Sequence, residues 1–329
     1  MTKKTIVTGG AGFIGSHLVE LLLTEKHEVT VLDNLCTGRL SNLKYAENNP
    51  KFSFINADVS DLNSIVEYFK GADWVFHLAA LADVVPSIIE PHKYHKSNVD
   101  GTIAVLEASR LNKIKKFIYT ASSSCYGIPQ AYPTSEDALI STQYPYAFTK
   151  YIGELYTLSW AKIYKLPVIS LRLFNVYGLR SRTSGAYGAV LGVFLAQKLA
   201  GKPFTVVGDG TQKRDFIYVT DVAKAFYQAA TSKVENEIFN VGSAAPKSVN
   251  ELASLLGGEK IYIPKRPGEP DVTWADISKI KRLLGWQPEI AFEEGIKEVL
   301  KNMDFWKKAP VWTAENIKEA TKDWFKYLS

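Results

Sequence analysis

Tyr146 and Lys150 stand four residues apart in a segment, residues 144–164, whose pattern predicts a helix, so both side chains project from one face. A scan of every tyrosine finds the Tyr-x-x-x-Lys spacing only here. A tyrosine acts as a base when its pKa falls from ~10 towards the working range. An ammonium one turn away stabilises the phenolate, and a nicotinamide cation would help further. Ser122, Ser123 and Ser124 sit at the C-terminal end of the strand expected just before. One of these hydroxyls could share the proton or orient a substrate. Taken alone, a triple serine is usually a polar loop.

A second constellation lies at the N-terminus. Gly9, Gly12 and Gly15 follow the first expected strand and open the first helix, a spacing that varies the dinucleotide-binding fingerprint. Glycine permits the tight turn and close backbone approach there, and the helix N-terminus faces a pyrophosphate. Only the backbone amides of Phe13 and Ile14 need meet phosphate; their side chains seal the helix against the sheet. Asp33, with Asn34 after it, ends the second expected strand, where a carboxylate holds the adenosine ribose hydroxyls. Its charge would repel a 2′-phosphate, so the expected cofactor is NAD. Asp58 and Val59 follow the third strand. Asp58 fits either an adenine contact or a cap for a helix near Leu62.

These groups need a scaffold that brings strand ends together. Residues 5–8, 28–32, 52–55, 74–77, 117–120 and 168–171 are nearly continuous apolar runs, as expected for strands covered on both faces. Helical patterns at residues 17–23, 91–111 and 144–164 lie between them. That alternation predicts an α/β fold, a Rossmann-type doubly wound parallel sheet. Beyond Asn175 turns become frequent and helices shorten. A smaller, mostly C-terminal α/β domain for the substrate is therefore expected, with residues 238–241 rejoining the main sheet. The boundaries implied are 1–175 with 214–243 for the dinucleotide domain and 176–213 with 244–329 for the other.

Composition narrows the class of partner. A net charge of +5 over 329 residues suits a small anionic ligand, and no basic block is dense enough to argue for nucleic acid. The two cysteines, Cys36 and Cys125, are far apart, so neither a disulfide framework nor a metal site is expected. No apolar run is long enough to span a bilayer, and a strand starting at Thr5 leaves no room for a signal peptide. A soluble cytoplasmic protein is expected.

With these residues assembled, the sequence resembles the extended short-chain dehydrogenase/reductase family, and within it the UDP-sugar 4-epimerases. The likeness runs from Thr5 to about Phe292. It rests on ordered motifs: Thr8-Gly-Gly-Ala-Gly-Phe-Ile-Gly15, Leu32-Asp-Asn-Leu35, His77-Leu-Ala-Ala80, Ser122-Ser-Ser-Cys-Tyr-Gly127, Tyr146-x-x-x-Lys150, Arg172-Leu-Phe-Asn-Val-Tyr-Gly178, Arg214-Asp-Phe-Ile-Tyr-Val219 and Arg266-Pro-Gly-Glu269. The resemblance implies that Tyr146 is the base for the sugar 4-hydroxyl, that Lys150 binds the nicotinamide ribose and lowers the tyrosine pKa, and that Ser122 is the catalytic hydroxyl. Leu78, Ala79 and Ala80 would line the cofactor. Asn175, Arg214 and Arg266 would meet the substrate diphosphate. Arg214 could instead merely pair with Asp215 or Asp221. Glu269 would accept from the uridine ribose, and Val190, Thr205 and Val207 would shape the nucleotide pocket. One cofactor contact departs from the pattern: some of these epimerases carry lysine where Ala82 stands.

The resemblance also separates reactions. Related dehydratases carry an Asp-Glu pair at the positions of Ser123 and Ser124, and related decarboxylases a glutamate at that of Ser124. With neither carboxylate present, the simplest chemistry left is transient C4 oxidation and hydride return, an epimerisation. A dehydratase, decarboxylase, net oxidoreductase or non-catalytic NAD-binding sensor are the other readings of the same scaffold. Thr273, four residues after Glu269, corresponds to the wall beside the sugar C2 and is small enough to admit an acetamido group. It equally suits a short strand leading to Trp274. Residues 91–111 and 144–164 correspond to the family's dimer helices, so a homodimer is expected. Thr313 is placed to cap a final helix carrying Trp324, Phe325 and Leu328, expected to cover the smaller domain.

Overall fold

The computed structural model describes residues 1–182 and 189–328. Residues 183–188 and 329, which the expected second domain takes in, lie outside the described residues. The first six strands are β1 (Lys4–Thr8), β2 (Glu28–Asp33), β3 (Phe52–Asn56), β4 (Trp74–His77), β5 (Lys116–Ser122) and β6 (Val168–Leu173). Short strands follow: β7 (Asn175–Tyr177), β8 (Phe204–Val207), β9 (Lys213–Arg214) and β10 (Phe216–Tyr218). Then come β11 (Glu237–Val241), β12 (Lys247–Ser248) and β13 (Lys260–Ile263).

Seven of these strands form one sheet in the order β11-β6-β5-β4-β1-β2-β3. All its pairings are parallel. The expected Rossmann-type sheet is therefore present, and residues 238–241 do return to it, beside β6. The strand order reverses between β1 and β4, the position where such sheets open a crevice at the carboxyl ends of their strands.

Alternation along β1 explains why its sequence is apolar on both faces. Val7 enters the core beneath helices Phe13–Thr24 and Val219–Thr231, with Leu18 and Phe226. Ile6 enters the opposite core with Leu106 and Phe117. A third core holds Phe194, Phe204, Leu252 and Ile296 around the short strand pairs. At the junction β10 is shared: Ile217 faces the first core, while Phe216 and Tyr218 face the third.

The helix expected over residues 91–111 is interrupted. Pro91–His95 and Gly101–Leu111 are α-helical, but Lys96–Asp100 between them is a π-turn. Such bulges commonly serve a site. This one carries Asn98, which is 1 % exposed. Its amide accepts from Leu81 N at 2.8 Å and donates to Leu81 O and to Thr149 Oγ1, both at 3.0 Å. One side chain thus ties the loop after β4 to the helix that bears Tyr146.

Candidate active site

A cavity of about 700 Å³ runs across the carboxyl ends of the strands. Its lining contains every site residue expected from the sequence except Lys150, which is buried just outside it.

At one end, Gly12 caps helix Phe13–Thr24. The first-turn amides of Phe13, Ile14 and Gly15 therefore have no acceptor within the helix and form a partly positive edge. Bulk is excluded around that turn. Gly9 has φ +70°, and a Cβ there would lie 2.6 Å from Ala79 N. A Cβ on Gly15 would lie 2.3 Å from Gly9 O. Asp33 closes this end: its carboxylate accepts from Ala11 N at 3.0 Å and from Leu35 N at 2.8 Å. Burial raises its pKa, and those two amides act in the opposite direction. Asn34, Asp58, Val59, Leu78, Ala79 and Ala80 complete the wall. Asp58 is not the cap of the helix at Leu62. Asp61 fills that role by accepting from Asn63 N, while Asp58 binds Ser60. The glycine cradle, open helix terminus and terminal carboxylate together fit a dinucleotide.

The middle of the cavity holds the hydroxyl groups. Helix Pro145–Tyr164 carries Tyr146 and Lys150 and lies tight on β5, because Gly153 admits the Tyr119 hydroxyl and that hydroxyl donates to Lys150 O at 3.0 Å. The Ser122 oxygen accepts from Ser124 N at 3.2 Å and from Ser124 Oγ at 2.8 Å. Its own proton is thereby left for Tyr146, with which it shares a hydrogen bond favouring the phenolate. Burial is nevertheless the larger effect and raises the Tyr146 pKa. Burial also pulls Lys150 down to about 7, against the pull of Glu154. The Lys150 ammonium lies 4.5 Å over the Tyr119 ring. Burial thus disfavours the charged form of both groups.

At the far end Glu269 lies between two arginines. Arg266 Nη1 donates to it at 2.9 Å, and Arg214 approaches to 3.6 Å. Arg214 pairs with neither Asp215 nor Asp221. Those carboxylates accept from Ser243 and Ala275, and from Glu289 and Ile290 respectively. Thr273 donates to Asn175 Oδ1 at 2.8 Å and accepts from Asp215 N at 3.0 Å. Val190, Thr205 and Val207 line the remaining wall.

Several lining residues carry no sequence signal of their own: Asp83 with its ion-pair partner Arg182, Tyr144, Trp312 and Trp324. Only Tyr144 could have been flagged, as the aromatic residue capping the Tyr146 helix. Among the described residues no cluster of three or more His, Cys, Asp or Glu could hold a metal, and no helix is long and apolar enough to cross a membrane.

Residues 5–242 match the model of the NAD-dependent epimerase/dehydratase family. The chain belongs to that family. It is 39% identical to UDP-glucose 4-epimerase of Mycolicibacterium smegmatis, over 91% of this chain and 97% of that one. The fold is similar to UDP-N-acetylglucosamine 4-epimerase of Methanobrevibacter ruminantium in complex with UDP-N-acetylmuramic acid: TM-score 0.87, 36% identity, covering 93% of this chain and 98% of that one. It is also similar to UDP-glucuronic acid 4-epimerase of Bacillus cereus in complex with UDP-glucuronic acid and NAD: TM-score 0.85, 34% identity, covering 93% of this chain and 99% of that one.

Proposed function

We propose that this chain interconverts the C4 epimers of a UDP-hexose, using NAD. The observation that carries the reading is the Ser124–Ser122–Tyr146 hydroxyl chain midway between the dinucleotide cradle and the Arg214–Glu269–Arg266 cluster. Bound NAD supplies a reversible hydride acceptor for C4. As a phenolate, to which Ser122 donates, Tyr146 takes the 4-hydroxyl proton, and the resulting phenol returns it. Lys150 adds positive charge to the nicotinamide side of the site. Arg214 and Arg266, with Asn175, hold the diphosphate, and Glu269 accepts from the uridine ribose. Anchoring remote from C4 lets the keto sugar turn over without leaving.

The acid inventory supports epimerisation over elimination. Among the described residues the carboxylates on the cavity are Asp33, Asp58, Asp83 and Glu269. Two stand at the dinucleotide end, Glu269 lies between arginines and Asp83 pairs with Arg182. Tyr146 has Ser122, the Tyr144 ring and Asp83 around it, and Asp83 is held by Arg182, so among the described residues no carboxylate free of a cation stands there as a second acid–base couple for losing water. The division into residues 1–175 with 214–243 for NAD and 176–213 with 244–329 for the nucleotide sugar is part of the same proposal, as is a cytoplasmic location.

Incubation with UDP-glucose, UDP-N-acetylglucosamine and UDP-glucuronic acid, followed by separation of products, tests the reaction. The 4-epimers should appear with no net NADH. Steady accumulation of NADH, or a product lacking water or carbon dioxide, would overturn the reading. We further infer that Thr273 sets substrate size. Thr273→Tyr should abolish N-acetylhexosamine turnover yet leave UDP-glucose turnover within a few-fold, since overpacking penalises the bulkier ligand. A wild type that converts UDP-galactose but no N-acetylated sugar would remove Thr273 from that role.

We also propose a homodimer. Helix Pro145–Tyr164 leaves Phe148, Leu155, Ile163 and Tyr164 exposed, a concentration of apolar surface that burial against a second copy would remove. Light scattering at micromolar concentration should give twice the chain mass; a monomer would refute it.

A further inference from the structure

The C-terminal segment has no part in the chemistry derived so far, yet it reaches the cavity. Helix Ala314–Ala320 is capped by the Thr313 side chain, and its Ile317 is buried in the core around the short strand pairs. At Thr321 the helix ends, and the next helix, Lys322–Tyr327, packs against Val84–Ile89 beyond β4. The segment therefore spans from one half of the molecule to the other.

Trp324, at the crossing, is 3 % exposed and lines the cavity. Its indole Nε1 donates to Pro267 O at 2.7 Å, fixing the backbone next to Arg266. The Arg266 guanidinium lies 5.8 Å from the indole ring. On the catalytic side, the Tyr144 ring lies 5.8 Å from the same indole. Tyr144 stacks in turn on Tyr146, at 6.5 Å and 8° between planes.

We propose that Trp324 is a positioning residue for the reaction. Wedged between Arg266 and Tyr144, it fixes the distance from the diphosphate anchor to the proton-transferring phenol. This role rests on the epimerase reading given above. An arginine side chain has many rotamers, and a single hydrogen bond from Nη1 to Glu269 does not set the plane of the guanidinium. The indole supplies a flat, π-rich surface for the guanidinium while its N–H pins the supporting loop. Loss of the ring removes that surface from Arg266 and the support beneath Tyr144, so the diphosphate is held less tightly.

The test compares Trp324→Ala and Trp324→Phe with the wild type in KM and kcat for UDP-glucose, retained NAD and urea midpoint. Trp324→Ala should raise KM about tenfold, with kcat changed much less and NAD content preserved. Trp324→Phe keeps a ring against both neighbours and should recover most of that loss. The proposal is overturned by an alanine variant with wild-type KM, by a phenylalanine variant no better than alanine, or by a KM loss that tracks falling NAD content and urea midpoint. If the wild type converts no UDP-sugar, the epimerase reading fails. The variants are then compared by titration with UDP, where Trp324→Ala must weaken binding by a similar factor for the positioning role to stand.

Discussion

Tyr146→Phe is expected to lower turnover at least ~100-fold while NAD stays bound, the loss usual for a general acid–base group. Phenylalanine retains the ring that stacks on Tyr144, so packing at the start of helix Pro145–Tyr164 is kept. What disappears is the oxygen that meets Ser122. No neighbour replaces it. The Ser122 oxygen is occupied by two donors from Ser124, and Lys150 lies against the Tyr119 ring. A hundredfold loss corresponds to roughly 2.7 kcal/mol of barrier. Turnover of UDP-glucose and the NAD content of the purified variant are the two measurements. Near-native turnover with full NAD content would remove Tyr146 from the mechanism.

The parts of this site that could be read from the sequence are those a strand end or one helical turn holds. Glycines at a strand-to-helix turn, an acid at the end of β2 and a Tyr–Lys pair on one helix face are local, and each lines or adjoins the cavity. The first six strands were legible because both faces are covered, which leaves an apolar signature. The π-turn at Lys96–Asp100 was not, because its reason is a partner far along the chain: Asn98 reaching Leu81 and Thr149. Strands of two residues, such as β9 and β12, are too short to show a period, and β13, exposed over most of its length, lacks the apolar signature of a covered strand. The tail was legible in its start and not in its course. Thr313 caps as expected, but the single helix expected through Leu328 breaks at Thr321, whose hydroxyl donates back to Ile317 O at 2.7 Å. Beyond that break Trp324 lines the cavity, between Pro267 on one side and Tyr144 on the other.

Glu154→Ala is expected to cost about 3–5 kcal/mol of stability, the range for removing one partner of a buried ion pair. Glu154 and Arg172 have side chains 1% and 4% exposed and meet at 2.6 Å. Ser170 Oγ donates to the same carboxylate at 2.7 Å. Without it, the Arg172 guanidinium keeps Tyr126 at 2.8 Å and Glu136 O at 3.0 Å but loses its carboxylate partner, and a buried charge is left unbalanced. Glu154→Gln, which keeps one acceptor oxygen and loses the charge, should cost less. The damage should also reach the chemistry. Glu154 stands one turn beyond Lys150 and is the group that opposes the burial-driven fall of its pKa, so a larger share of Lys150 would be neutral at pH 7 in Glu154→Ala. Urea unfolding and the pH dependence of turnover give the two readouts. The alanine variant should unfold at lower urea, and its loss of activity should set in at lower pH as pH is raised. A variant with an unchanged midpoint and pH profile would show that β6 and the Tyr146 helix do not depend on this pair.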